Sequence, residues 1–338
     1  MKYLYKKIYE AINTGIQNAL ALDDEEDVSI NYQHKKISND FNIDKLLQDR
    51  QEEYKKLIEN ENFQGCLNLY NSEYLYFEKR TIGYKVNSKE ELKELVMNFD
   101  DDWQNFDLNW IDVSKITDMS ELFQYTHYFN CDISEWDVSK VNDMSYMFYQ
   151  CENFNGDLSH WNVSKVTDMQ GMFYYCENFN SDLNQWDVSN VTDMNYMFNY
   201  CTNFNSDLSQ WNVSKVKNMH SMFYGCETFN SDLSSWNVSG VTNMIGMFKD
   251  CINFNQDLSQ WDVSNVINMS KMFYCCRDFN SDLSEWDVSK VEDMQHMFYY
   301  CENFNQDLSQ WDVSKVEDMQ HMFYKCPIKE EYKPKFKK

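Results

Sequence analysis

A fixed pattern of apolar and polar positions recurs along most of this chain. A tryptophan stands at the same place in each unit of the pattern, and the next one follows 25 residues later without insertion or deletion. A constant period of this length is typical of solenoids, in which each coil packs only against its neighbours. We expect these tryptophans in the core: Trp136, Trp161, Trp186, Trp211, Trp236, Trp261, Trp286 and Trp311.

The apolar spacing inside one unit indicates two short elements. The apolar residues from Val141 to Cys151 are separated by three and four residues, which predicts one face of a short helix. Asn142 and Asp143 stand at the start of this stretch as candidates for the helix N-cap. In the polar stretch that follows, we predict a short strand over residues 157–161. Each coil is therefore expected to hold one short strand and one short helix.

Stacked coils of this kind would form a parallel sheet with helices outside it, which is an α/β solenoid. The array spans residues 111–326 in about nine repeats, of which the first is incomplete. Val113 and Phe123 fall in register with later copies, but Ile111 stands at the tryptophan position and Thr126 at the cysteine position. Atypical end copies of this type are expected of caps.

The N-terminal segment, residues 1–86, does not follow the repeat and is predicted to be mainly helical. The stretch "NIDKLLQDRQEEYKKLIENENF" predicts one of its helices. An amphipathic helix at the start of the chain is indicated by the spacing of Leu4, Ile8, Ile12, Ile16 and Ala19.

Two further segments flank the array. Residues 87–110 are expected to form its N-terminal capping segment, with a helix that Ser88 caps and Glu91 completes as a capping box. Pro327 ends the repeat pattern, and residues 327–338 predict a frayed, basic C-terminal tail.

Two polar columns keep one residue type from coil to coil. The asparagine column is never Asp, so we expect its amides to form a ladder that satisfies turn backbone; it consists of Asn155, Asn180, Asn205, Asn230, Asn255, Asn280 and Asn305. The aspartate column is never Asn, which indicates carboxylates that accept backbone N–H bonds; it consists of Asp157, Asp182, Asp207, Asp232, Asp257, Asp282 and Asp307. The position after each tryptophan alternates between the two residue types, so an acceptor oxygen matters there and charge does not.

The full motif, W-[DN]-V-S-x-V-x-[DN]-M-x-x-M-F-x-x-C-x-x-F-N-x-D-L-S, resembles the tandem repeat of the BspA-like leucine-rich-repeat surface proteins. The resemblance covers about residues 88–326, and "YKVNSKEELKELV" at 84–96 is similar to the segment that often precedes such arrays. It implies a leucine-rich-repeat-like solenoid used for adhesion or protein interaction. It also implies a location at the cell surface or outside the cell.

Composition and charge narrow the classes of partner. A hydrophobic fraction of 43% is ample for a packed core. The formal net charge of −25 disfavours nucleic acid and anionic membranes, because both are bound through Lys and Arg. No stretch approaches the roughly 20 apolar residues of a membrane span, and polar residues interrupt any signal-peptide core at the start. A cytoplasmic location is the default expectation from these features.

Three sets of residues could serve either a metal or redox site or a purely structural role. The cysteine column shares the phase of buried Met and Phe and contains no C-x-x-C pair, so we expect free buried thiols, with more exposure at Cys66, Cys131 and Cys275. His296 and His321 occupy equivalent places in two copies and are interpreted as surface residues in register. The aspartates lack the spacing of calcium-binding repeats. We therefore predict no metal site and no cofactor.

Two variable rows are candidate binding surfaces. Tyrosines recur just after each Met-Phe pair, where large rigid side chains would supply contact area at low entropic cost; they are Tyr149, Tyr174, Tyr175, Tyr200, Tyr224, Tyr274, Tyr299, Tyr300 and Tyr324. An alternative is that these rings only cover the layer beneath them. The second row precedes each tryptophan and is polar; it consists of Glu135, His160, Gln185, Gln210, Ser235, Gln260, Glu285 and Gln310.

A catalytic site needs an irregular constellation of groups, whereas this array repeats itself. The leading hypothesis is therefore a non-enzymatic protein that presents an extended acidic surface to another protein or a glycan, with adhesion as one use. One alternative is an enzyme or effector activity in the N-terminal region, with the repeats as scaffold. A purely structural spacer is the other alternative. Neither the ligand nor the oligomeric state follows from the sequence.

Overall fold

The computed structural model describes residues 84–97 and 104–335. The helices predicted before residue 84 lie outside the described residues, as does Cys66. No helix in the described ranges is long and apolar enough to cross a membrane.

Short regular elements begin the described part of the chain. They are β1 (Tyr84–Lys85), α1 (Lys89–Met97), β2 (Gln104–Asp107), β3 (Ile111–Asp112) and β4 (Asn130–Asp132). β1 pairs with β3, and β2 pairs with β4 in parallel, with an irregularity in the register between its two ends. The fully buried Val86, Leu92 and Val96 belong to the same core as the first coil. The capping segment thus provides β2 and the only α-helix of the described residues.

The start of α1 follows the predicted capping scheme with one shift. The hydroxyl of Ser88 accepts a hydrogen bond from the Glu91 N–H at 3.1 Å. The Glu91 carboxylate accepts from the N–H of Asn87 at 2.8 Å, one residue earlier than in a standard capping box.

The predicted helix of each coil is wrong: residues 113–326, all of which the structure describes, contain no α-helix. Two consecutive turns take its place. Met147 N–H donates to the carbonyl of Met144 at 3.2 Å, and Cys151 N–H donates to that of Phe148 at 2.9 Å. The third residue of each turn, Tyr146 or Gln150, has a positive φ near 54–60°, as type II turns require. The two turns place Met and Phe on one side just as a helix would.

Along these two turns, every second main-chain N–H donates a hydrogen bond to a carbonyl of the next coil. Met144 N–H donates to the carbonyl of Asp168 at 3.0 Å, and Phe148 N–H donates to that of Met172 at 2.9 Å. A parallel bridge joins Asp143 to Asp168, and its equivalents run from Asp118 to Asp318. The coils of the array are therefore held by main-chain bonds as well as by side chains, which is the solenoid that the period predicts.

The strand predicted over residues 157–161 is also wrong, because the structure has no strand there. Only the first copy has a strand close to the equivalent place, which is β4. Side chains replace the main-chain ladder there. The amide oxygen of Asn155 accepts the N–H of Asn180 at 2.9 Å, and the same bond recurs along the asparagine column. This confirms the expected asparagine ladder and explains why an amide oxygen substitutes for strand pairing.

The aspartate column also behaves as expected. Asp157 Oδ1 accepts the N–H of Ser159 at 2.9 Å, which is an Asx turn. The position after each tryptophan forms the same turn with either residue type, since Asp137 accepts from Ser139 and Asn162 accepts from Ser164.

Identical apolar side chains stack in columns through the core. Phe148, Phe173 and Phe198 lie with ring centroids 5.5 and 5.7 Å apart, and their planes are nearly parallel. The tryptophans from Trp136 to Trp311 are all buried.

The C-terminal end differs from the predicted frayed tail over residues 328–335. Lys329 N–H donates to the Asn305 side chain at 3.1 Å and so continues the asparagine ladder. A 3₁₀ turn spans Glu330–Tyr332, and Leu308 N–H donates to the Tyr332 carbonyl at 2.8 Å. Ile328 is buried beneath this turn. The tail is thus packed onto the last coil.

Candidate functional site

The predicted tyrosines come together as one row along the array. We call the following set the tyrosine row: Tyr125, Tyr149, Tyr174, Tyr175, Tyr200, Tyr224, Tyr274, Tyr299, Tyr300 and Tyr324. Ring centroids of Tyr149 and Tyr174 are 4.9 Å apart, and those of Tyr175 and Tyr200 are 4.7 Å apart with an interplanar angle of 3°. These contacts cover most ring faces and leave ring edges and hydroxyls at the surface.

Lys249 fills the one coil of the row that has no tyrosine. Its Nζ lies 4.1 Å from the ring centroid of Tyr224 and 5.2 Å from that of Tyr274, and it donates to the Tyr224 hydroxyl at 3.0 Å. An ammonium between two aromatic faces is a cation–π arrangement. The row is therefore continuous from Tyr125 to Tyr324.

A second interruption is bridged within one coil. Asn199 stands where a tyrosine is common, but its side chain is buried and its Nδ2 donates to the Ser221 carbonyl at 3.2 Å. The next residue, Tyr200, has a φ of 58° and stacks on Tyr175 with ring centroids 4.7 Å apart. It also contacts Tyr224 at the same centroid distance, with the two rings tilted by 49°. The left-handed conformation at the end of the second turn thus brings a neighbouring ring into the gap.

Glycines make room for two of the rings. A Cβ on Gly171 would lie 2.5 Å from the ring of Tyr146, and one on Gly225 would lie 2.9 Å from the ring of Tyr200. Both glycines have a positive φ, which Gly adopts without strain.

Two phenols of the row have a pKa raised by their surroundings. Burial raises the pKa of Tyr174 to about 12, with a further contribution from neighbouring phenols. The hydrogen bond that the Tyr200 hydroxyl donates to the Tyr224 hydroxyl, at 2.8 Å, raises the pKa of Tyr200 to about 12. The hydroxyls are therefore available as hydrogen-bond donors and acceptors.

Carboxylates lie beside the N-terminal half of the row. Parallel bridges join Asp143, Asp168 and Asp193 in successive coils. Burial, followed by the charges of its two neighbours, raises the pKa of Asp168. Burial raises the pKa of Tyr146, and the charges of Asp168 and Asp193 contribute to this increase. The Tyr146 hydroxyl accepts a hydrogen bond from Gln170 Nε2 at 2.7 Å. In the middle coils Asn218, Asn243 and Asn268 stand in this column instead, so the column carries no charge there.

The polar row before each tryptophan is exposed throughout, as a binding surface requires, although it lies on no strand. Its glutamines bond to adjacent serines: Gln210 Nε2 donates to Ser209 at 3.3 Å, and Gln260 and Gln310 do the same. Gln185 is exposed like the others. No ring stacking or charge organises this row, so it is less defined than the tyrosine row.

The cysteine column consists of free thiols, as predicted. Cys176 Sγ donates to the Phe148 carbonyl in the preceding coil at 3.0 Å, and burial raises the pKa of this thiol well above its usual range. Cys131 is buried, contrary to the expectation, while Cys275 is partly exposed. His296 and His321 lie with ring centroids 5.4 Å apart. Within the described ranges, no three His, Cys, Asp or Glu residues are grouped to hold a metal ion.

Four residues of this surface escaped the sequence prediction. Tyr125 belongs to the incomplete first copy, Tyr146 stands three positions before Tyr149, and Tyr196 stands four positions before Tyr200. Lys249 belongs to the coil that has no tyrosine at these positions. Their positive-φ or end-copy positions are visible only once the turns are known.

A family model described as "Mycoplasma protein of unknown function, DUF285" matches residues 90–208, 175–273 and 234–333. The overlapping matches run from α1 to the last coil. No curated protein matches the chain.

Proposed function

The chain belongs to the DUF285 repeat family, whose description names no function, and from that premise we propose a non-enzymatic protein that binds a partner protein along its tyrosine row. The observation that supports this proposal is the continuity of the row over nine coils, including the lysine that completes it. A row that only covered the layer beneath would not need Lys249 between two rings.

The chemistry of the row favours a protein over a glycan. Sugars bind aromatic side chains by lying flat on a ring face, and neighbouring rings already cover most faces here. Open faces are found at the ends, at Tyr125 and Tyr324, which are 56% and 44% exposed. Ring edges with neutral hydroxyls are instead typical of tyrosine-rich surfaces that bind proteins. The polar row is a second face on which the same partner could rest.

Site-directed photocrosslinking in the native cells tests the proposal. A photoreactive phenylalanine analogue replaces Tyr174 or Tyr299, and a matched control carries it at the exposed Lys165, outside both rows. We expect the same protein to be captured from both tyrosine positions and not from the control. Substitution of tyrosines elsewhere in the row, with folding preserved, should reduce this capture. Unchanged capture after substitutions in both rows would refute the proposal.

A further inference from the structure

The charges beside the tyrosine row specify its partner more closely. We infer that the surface beside the N-terminal half of the row binds a basic polypeptide segment, whose Lys or Arg side chains contact the phenols of Tyr146, Tyr174 and Tyr196 and pair with Asp143, Asp168 and Asp193. This inference rests on the proposed function and adds the chemistry of the partner. We call these six residues the acidic tyrosine surface.

The chain itself shows how a lysine binds to the aromatic part of such a surface. Both lysines that stand at positions of the row lie over tyrosine rings: Lys249 over Tyr224 at 4.1 Å, and Lys325 over Tyr300 at 4.6 Å. Tyr174 and Tyr196 cover each other's facing sides, since their rings stack at 5.6 Å. A partner's lysine would therefore contact their edges and hydroxyls, as Lys249 does when its Nζ donates to the Tyr224 hydroxyl at 3.0 Å. The phenols of the row thus contact an ammonium group at two places in the chain itself.

Lys89 shows how a lysine binds to the acidic part. Its Nζ donates to Asp118 Oδ1 at 3.0 Å and to the Ser120 hydroxyl. Asp118 Oδ1 also accepts the N–H and the hydroxyl of Ser120, at 2.8 and 2.7 Å. Asp143 and Ser145, one coil later, repeat this arrangement at 2.9 and 2.7 Å. The second coil therefore repeats the carboxylate and hydroxyl pair that Lys89 contacts in the first coil.

The charge balance of the surface favours a cation from outside. None of the ion pairs among the described residues involves Asp143, Asp168 or Asp193. Three adjacent carboxylates repel one another, and a bound cation would relieve this repulsion. The net charge of −25 also disfavours a second copy of this chain on the same surface.

The test uses the full chain and a fluorescein-labelled peptide of alternating lysine and serine, followed by fluorescence anisotropy. Matched peptides carry acetyl-lysine or glutamate in place of lysine. We expect the lysine peptide to bind and the two matched peptides not to bind. The triple variant Asp143→Asn, Asp168→Asn and Asp193→Asn should bind it about tenfold more weakly. Asn occupies this column naturally at Asn218, so the turns are preserved.

A second triple variant separates a local site from long-range attraction. Asp157→Asn, Asp182→Asn and Asp207→Asn remove the same charge from the aspartate column of the same coils. This variant should bind the lysine peptide nearly as well as the unmodified chain. Equal weakening by the two triple variants, or no binding of the lysine peptide, would overturn the inference.

The crosslinking experiment distinguishes the two proposals. Capture of a partner from Tyr174 that persists in the Asp143, Asp168 and Asp193 triple variant supports the proposed function and rejects the basic segment. Binding of the lysine peptide without any capture from the row rejects the proposed function, because the surface then attracts cations but holds no partner protein.

Discussion

The indole Nε1 of Trp211 donates a hydrogen bond to the main-chain carbonyl of Leu183, 2.9 Å away in the preceding coil. The Trp211 ring also stacks between Trp186 and Trp236, with centroids 6.5 and 6.3 Å away. Since the same bond recurs from Trp136 to Trp311, each tryptophan ties its coil to its neighbours. The stability of a coil therefore depends on the coils on either side of it.

Replacing Trp211 with Ala should lower the free energy of unfolding by about 3–5 kcal/mol, because it leaves a large cavity and removes the hydrogen bond to the Leu183 carbonyl. Trp311→Ala should cost less, since Trp311 stacks on Trp286 alone. Equilibrium unfolding in urea measures both changes. Equal losses at the two positions would contradict the stacked arrangement.

The columns of the core could be predicted from the sequence because a constant period decides which residues coincide from coil to coil. The asparagine ladder followed from the same reasoning, since a position that never changes to Asp must need its amide. The helix could not be predicted correctly in this way. Spacing by three and four also arises when two turns follow one another, as from Met144 to Cys151. A helix and a pair of turns differ in where the main-chain N–H groups bond, and here every second N–H bonds to the next coil.

The sequence predicts which tyrosines belong to the row, but not that the row is continuous from coil to coil. The spacing predicts nine of its tyrosines, but nothing in the sequence indicates that Lys249 joins them. The contacts of Lys249 with Tyr224 and Tyr274 depend on the distance between alternate coils, which the sequence does not contain.

The buried thiols should resist alkylation in the native protein. Among the described cysteines only Cys275 and Cys326 are partly exposed, and burial raises the pKa of each to about 11, so even these should react slowly. Mass spectrometry after brief iodoacetamide treatment should show no label on Cys176 or Cys201. The Cys66→Ser variant removes a thiol outside the described residues, and alkylation in guanidinium is the control for full labelling. Label on the column before unfolding would disprove its burial.

Gly171→Ala should destabilise the protein by about 1–2 kcal/mol. The new Cβ would meet the Tyr146 ring, and Ala is disfavoured at the φ of 57°. In the Tyr146→Ala background the clash is absent, so the same substitution should cost less. A double-mutant cycle by urea unfolding measures the difference. Additive effects would show that backbone strain alone is responsible.

Two Asp→Asn substitutions should affect stability in opposite directions. The folded pKa of Asp168 is raised, so its ionisation disfavours folding as the pH rises above the unfolded value near 3.8. Asp168→Asn should therefore increase stability at pH 7. The folded pKa of Asp157 is lowered by the N–H and hydroxyl of Ser159, and this contribution is present above pH 3.8 and lost as the pH falls through the folded value. Asp157→Asn should therefore decrease stability at pH 7.

Urea unfolding at pH 7 and at pH 3 measures both effects. The difference between Asp168→Asn and the unmodified chain should shrink at pH 3, where the carboxyl is protonated in both states. The loss in Asp157→Asn should shrink as well. A gain at neutral pH from Asp157→Asn would contradict the role of its carboxylate in the Asx turn.

Lys249→Ala should separate Tyr224 from Tyr274 and lower the free energy of unfolding by about 1 kcal/mol, since the cation between the two rings is lost. Lys249→Tyr should restore most of this, because a ring at this position would stack as Tyr274 does on Tyr299 at 4.7 Å. Lys249→Met keeps the length of the side chain without its charge. If the Lys249→Met variant were as stable as the unmodified protein in urea unfolding, packing alone would hold the row together. We expect Met to lie between Lys and Ala, because the ammonium contributes attraction to both rings beyond the packing of its stem.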